Sequence, residues 1–170
     1  MATTNDMEHI TFSPKQTEKI GEKFAKSLKS NFLTPVTISL EGELGGGKTT
    51  FVKGFARGLG VKETIKSPTF VIMKKYQIAT NDPKGQAYGI GKQLTTKSRK
   101  LQGFFYHFDC YRIQKAADIL ELGWRGIIKD PKNIIVVEWG DRIRRILPKN
   151  YIQIKFKFAD KNKRKITIKT

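Results

Sequence analysis

Val36-Thr37-Ile38-Ser39-Leu40-Glu41-Gly42-Glu43-Leu44-Gly45-Gly46-Gly47-Lys48-Thr49-Thr50 is the stretch on which the reading of this chain turns. The β-branched run after Pro35 reads as a strand, and Thr49 to Leu59, stopped by Gly60, reads as a helix. Between them Gly42 to Thr49 meets the spacing G-x-x-x-x-G-K-[ST]. Glycines at 42, 45, 46 and 47 let the backbone turn with its N–H groups facing inward. The N-terminus of the following helix adds its positive end. Lys48 then suits β- and γ-phosphates, and the Thr49 hydroxyl suits Mg²⁺. The loop is expected to take a purine triphosphate, read here as ATP, on Gly42, Glu43, Leu44, Gly45, Gly46, Gly47, Lys48, Thr49 and Thr50.

Such a loop needs acids for the metal and for the attacking water, and in open α/β sheets these sit at the carboxyl ends of strands. Asp109 follows Phe104-Phe105-Tyr106-His107-Phe108, and Glu138 follows Ile134-Ile135-Val136-Val137. Spacing alone leaves open which acid holds Mg²⁺. Glu138 follows the more apolar strand and is the metal-side candidate. Lys48, Asp109 and Glu138 are thus the candidate catalytic set, with Thr49 and Glu138 at the metal. The hydroxyls of Ser67 and Thr69, around Pro68, could close on a γ-phosphate or simply cap a turn. Tyr111-Arg112 offers a cation to the phosphates or to a carboxylate. His107 reads as structural, and Trp139 as core packing.

Outward from the loop the chain reads as α/β. Ser13-Pro14-Lys15-Gln16 is a helix start with a capping box, followed by Ile20, Phe24 and Leu28 on one stripe. Strands are expected at 70–76, 104–109 and 134–137, and a short helix at 115–122 before Gly123. The alternation at 151–158 and the stretch 165–169 suggest a closing antiparallel pair. The expected fold is a P-loop NTPase-like three-layer α/β/α domain with a partly parallel, mixed central sheet. One domain over residues 1–170 is expected, with a basic loop insertion at about 78–103.

The formal net charge is +18. It favours a polyanionic partner, although a lysine-rich surface without one would look the same. The excess is concentrated. Residues 141–170 carry eleven Lys or Arg against two Asp, and residues 77–103 carry five against Asp82 alone. Cys110 is the only cysteine, which suits a reducing compartment. No apolar run of 18 residues and no secretory signal are present, so a cytoplasmic protein without a membrane span is expected.

Several pieces in order carry a resemblance. They are Leu40 to Thr50, Lys66-Ser67-Pro68-Thr69-Phe70, Tyr106-His107-Phe108-Asp109-Cys110-Tyr111-Arg112, Glu121-Leu122-Gly123, and Val137-Glu138-Trp139-Gly140-Asp141. Over about residues 10–168 the chain resembles the TsaE (YjeE) family of bacterial ATPases in tRNA threonylcarbamoyladenosine biosynthesis. The resemblance implies ATP hydrolysis with Mg²⁺ in complex with the TsaB–TsaD heterodimer, which modifies adenosine 37 of tRNAs. It places Thr49 and Glu138 at Mg²⁺, Lys48 at the phosphates and Asp109 in the Walker-B-like position. It also makes Ser67-Pro68-Thr69 a switch segment, sets Arg164 near the nucleotide and puts Pro14 by the adenine. The segment 78–103 is longer and more basic than the family's usual hairpin. Whether the chain meets tRNA only through its partners or directly through its basic segments stays open.

Two other classes compete. A P-loop small-molecule kinase would need an acceptor pocket and an Arg-rich lid, which 78–103 could imitate. A basic RNA-binding module with a nucleotide switch would account for the charge. A GTPase would need N-K-x-D after a strand, which is absent; the one D-x-x-G, Asp82 to Gly85, lies in the basic segment.

Overall fold

The computed structural model describes residues 6–28, 34–78, 103–160 and 163–169. The P-loop strand β2 (Val36–Gly42) lies between β5 (Ile134–Glu138) and β6 (Ile152–Asp160), parallel to both. Strand β4 (Phe104–Asp109) is parallel to β5 on its other side. Three antiparallel strands extend this parallel centre. They are β3 (Met73–Gln77) on β4, β7 (Lys163–Lys169) on β6, and β1 (Met7–Thr11) on β7. The order is β1-β7-β6-β2-β5-β4-β3.

A strand with a continuous apolar run, such as Ile134 to Val137 of β5, must be covered on both faces, and β5 is buried throughout. On one face α1 (Pro14–Leu28) and α2 (Lys48–Leu59) bring Phe24, Phe51, Phe55 and Leu59 onto Ile38, Leu40, Val136 and Ile154. On the other, α3 (Ala116–Leu120), α4 (Trp124–Ile127) and a 3-10 stretch (Gly140–Ile146) cover Phe108, Ile135 and Val137. The layering is the expected helix–sheet–helix. Backbones of α1 and α2 approach so closely that a Cβ at Gly54 would lie 1.9 Å from the Glu18 carbonyl oxygen. That contact outweighs the ~1 kcal/mol that glycine costs a helix interior.

Sequence and structure part at four places. The strand expected from Phe70 starts at Met73 instead. The Pro68 carbonyl accepts the N–H groups of Val71 (2.9 Å) and Ile72 (2.6 Å), and Ile72 takes φ 63°. That turn leaves Phe70 and Val71 exposed. The helix expected over 115–122 ends at Leu120; Gly123, at φ 80°, starts α4. There Trp124 is buried and its Nε1–H donates to the Ile146 carbonyl at 3.0 Å. Strand β1 and the 3-10 stretch were not expected. The basic insertion and Asp82 to Gly85 lie outside the described residues. Its flanks meet, with the Ile78 N–H donating to the Gly103 carbonyl at 3.2 Å. Among the described residues no helix is long and apolar enough to cross a membrane.

Candidate functional site

The site forms where β2, β4 and β5 end and α2 begins. A cavity of about 370 Å³ is lined by Leu44, Gly45, Gly47, Lys48, Thr49, Thr50, Ser67, Thr69, Asp109, Tyr111, Glu138 and Trp139. Gly47 caps α2 at φ 102° and ψ 11°, a conformation that favours glycine. This aims the first turn of α2, with its unpaired N–H groups, at the cavity. Lys48 is buried and folds back on the loop, its Nζ donating to the carbonyls of Gly42 (2.7 Å) and Glu43 (2.8 Å). The same ammonium sits 3.7 Å from the centre of the Trp139 ring. Burial pulls the Lys48 pKa below its ordinary value, against the opposing pull of Glu138, Asp109 and Asp141.

Parallel pairing of β4 with β5 sets Asp109 beside Glu138. The two acids have different partners. Glu138 accepts the Thr49 hydroxyl on Oε2 at 2.8 Å, and its Oε1 lies 2.8 Å from His107 Nε2. Asp109 Oδ2 accepts the hydroxyls of Ser67 (2.8 Å) and Thr69, and Oδ1 accepts the Tyr111 N–H at 3.0 Å. The Ser67-Pro68-Thr69 segment is thereby tied to Asp109 through its hydroxyls, while its Pro68 carbonyl opens the turn that follows. Pairing of β3 with β4 continues here, because the Asp109 N–H donates to the Ile72 carbonyl at 2.9 Å.

Two readings of single residues change. Trp139 packs against the second core cluster as expected but is only half-buried and also walls the cavity, at φ 59°, with its N–H on the Leu40 carbonyl (2.9 Å) and its ring 5.1 Å from Tyr111. His107 is fully buried as expected of a structural residue, yet it contacts Glu138 directly. Arg112 stacks over the exposed Phe70 at 4.6 Å. Sequence reasoning missed Thr17. It bonds Thr11 at 3.0 Å, and its Cγ2 would be 3.6 Å from a Cβ at Gly47. No spacing signal marks it.

The remaining candidates fall outside the cavity wall. Arg164 lies along the loop, with Cδ 3.4 Å from where a Gly47 Cβ would be, and its buried Nε has no partner among the described residues. Pro14 opens α1 and is exposed; Ser13 caps that helix through the Gln16 N–H, and Gln16 accepts the Phe12 N–H at 2.7 Å. Gly42 and Gly46 pack against Phe156 of β6, and Glu43 is exposed.

The donors present suit Mg²⁺ and a triphosphate. Mg²⁺ takes one or two protein oxygens and completes its shell from phosphate and water. Thr49 Oγ1 and Glu138 Oε2 supply such oxygens side by side. Lys48 and the α2 N-terminus supply the cationic cradle for phosphate.

The chain is similar to known proteins in sequence and in fold. Residues 11–166 match the family model described as "Threonylcarbamoyl adenosine biosynthesis protein TsaE". The tRNA threonylcarbamoyladenosine biosynthesis protein TsaE of Bacillus subtilis is 34% identical over 159 residues, 92% of this chain and 81% of that protein. The protein of the same name from Rickettsia typhi is 30% identical over 162 residues, 95% of this chain and 93% of that protein. The crystal structure of Bacillus subtilis YdiB superposes with a TM-score of 0.66 at 28% identity, covering 100% of this chain and 88% of that one.

Proposed function

The chain belongs to the TsaE family, and from that footing we propose that it binds and hydrolyses ATP with Mg²⁺ to support threonylcarbamoylation of tRNA, acting in the cytoplasm with a TsaB–TsaD pair. The observation that carries the reading is the 2.8 Å bond between Thr49 and Glu138, which joins the P-loop to the end of β5. Lys48 leaves its two loop carbonyls to hold the β- and γ-phosphates, while the N–H groups of Gly45 to Thr49 cradle them. Thr49 and Glu138 hold the metal, which when bound neutralises charge on the phosphate oxygens. Arg164, which lies along the loop, would add a cation for phosphate, and the start of α1 at Pro14 would meet the base.

Asp109 has a different task in this reading. Both its oxygens are occupied, by Ser67, Thr69 and the Tyr111 N–H, so it anchors the switch segment. When Ser67 and Thr69 turn to a γ-phosphate, Asp109 is freed to accept a bond from the attacking water. Trp139 and Tyr111 form the wall that keeps bulk water away. Among the described residues none that lines the cavity is an arginine, Arg164 lying beside the loop instead, so the transition-state charge is expected to be met incompletely in the isolated chain and turnover to be slow without partners.

The test is reconstitution of modification on an unmodified tRNA transcript, with TsaB, TsaD and a threonylcarbamoyl donor. Multiple turnover is expected only with this chain and ATP present. Equal product without the chain would reject the reading.

A further inference from the structure

The charge surplus of residues 141–170 resolves into a surface. On β6 and β7, Ile154, Phe156, Ile166 and Ile168 point into the core beneath α1 and α2. Side chains alternate along a strand. Lys155 and Lys157 of β6, and Lys163, Lys165 and Lys169 of β7, therefore point to the opposite face. Gln153 fixes this side, since its Nε2 reaches Glu41 Oε2 at 2.9 Å together with Arg144 of the 3-10 stretch at 3.1 Å. Among the described residues no helix covers this part of the sheet; the second core cluster contains nothing from β6, β7 or β1. The lysines are half-buried or exposed, with 39% of the Lys165 and 42% of the Lys169 side chain accessible.

Acids lie mainly at the borders. Glu8 of the edge strand β1 pairs with Lys165 (2.6 Å), Asp6 pairs with Lys169 (3.1 Å), and Asp160 stands opposite Lys163 at the hairpin end. Within the face, Lys157 and Lys165 are direct cross-strand neighbours. Like charges so placed repel; Glu8 meets Lys165 from its other side, which leaves Lys157 as the charge that an anion would meet. Lys155 is the register partner of Glu41, one residue before the P-loop.

We propose that the uncovered face of β6, β7 and β1, built on Lys155, Lys157, Lys163 and Lys165, binds the phosphate backbone of a folded RNA. Protein interfaces are depleted in lysine and centred on aromatic, Met and Arg anchors. This face is lysine-rich; its exposed large apolar residues among those described are Ile10, opposite Lys165, and Phe12, whose ring lies 5.8 Å from Lys163 Nζ at the border. Alternate residues on a strand lie about 6.6–6.8 Å apart and neighbouring strands about 4.8 Å apart. Flexible lysines on that lattice can each meet a phosphate without reading sequence. The inference leans on the proposed function only in choosing tRNA as the probe.

The experiment is binding of the full chain to a labelled, unmodified tRNA transcript across a salt series. A K155Q/K157Q/K163Q variant is compared with a K19Q/K23Q/K53Q variant, which removes equal charge from exposed positions on the helical layer. The face variant is expected to bind about tenfold or more weakly at low salt, with the slope of log K on log salt reduced by about 2 to 3. The helical variant should stay within about twofold of the parent. Equal losses in both variants, or no saturable binding by the parent, would overturn the assignment. So would unchanged RNA affinity with lost association to the TsaB–TsaD pair, which would give the face to a protein. ATP affinity measured on the same samples keeps a failure here distinct from a failure of the nucleotide reading.

Discussion

His107 Nε2 lies 2.8 Å from Glu138 Oε1, and both side chains are all but inaccessible. They come from adjacent parallel strands, and the His107 ring is stacked on Phe105 of its own strand at 6.3 Å. The histidine thus holds one carboxylate oxygen and leaves the other to Thr49. We expect His107→Ala to raise the Mg²⁺ needed for half-maximal nucleotide binding by about 10–100-fold, as loss of an orienting partner does. His107→Gln, which keeps a donor, should recover part of it. A fluorescent-nucleotide titration against Mg²⁺ reads this out. A purely packing role would lower the melting temperature and leave that titration unmoved.

Glu138 itself touches the metal side of the loop, so its loss should be graver. Glu138→Ala is expected to cut Mg²⁺-dependent hydrolysis beyond the about 100-fold of an indirect partner. Mg²⁺-free nucleotide affinity should change only a few-fold. Equal effects on the two measurements would assign Glu138 to packing.

The depressed Lys48 pKa gives two pH effects with definite signs. Its cause is burial, so the free fold disfavours the ammonium. Between the folded pKa and 10.5 the unfolded chain binds more protons than the native one, and this group's contribution to stability rises with pH there. Nucleotide binding runs the other way, since phosphate needs the ammonium. Affinity should fall as pH rises through the same window, and Lys48→Arg should flatten that dependence. Lys48→Ala should abolish tight binding at every pH; unchanged ATP affinity in that variant would remove the P-loop assignment.

Cys110 follows Asp109 directly and is wholly buried. Burial, and secondarily the Asp109 charge, pushes its thiol up to about 12. Thiol reagents at pH 8 should therefore leave the native chain unlabelled for hours and label it fully in denaturant. Rapid native labelling would mean that the end of β4 opens far more readily than its packing implies.

The parts legible in the sequence were those whose signal is local. Gly42 to Thr49 carries its own geometry in its spacing, and the apolar runs 104–108 and 134–137 announce buried strands. Strand β1 did not show, because Met7 to Thr11 is set in place by pairing to β7, some 150 residues along the chain, and not by a local pattern. The late start of β3 was hidden in one carbonyl, that of Pro68, which captures two N–H groups. Among site residues, Glu138 and Asp109 were found by their strand ends, but their division of partners depends on tertiary placement of Thr49, His107, Ser67 and Thr69. Trp139 was read as core packing, and it does pack against the second cluster, but its size says nothing about its left-handed backbone and the contact of its ring with Lys48.

The decisive measurement is steady-state ATP turnover by the purified chain, alone and with its own organism's TsaB–TsaD pair. Slow turnover alone, raised at least tenfold by the pair and lost in Glu138→Ala, is the expected result. ATP binding with no stimulation, and no complex on gel filtration, would contradict the partner-dependent ATPase and leave only a P-loop protein.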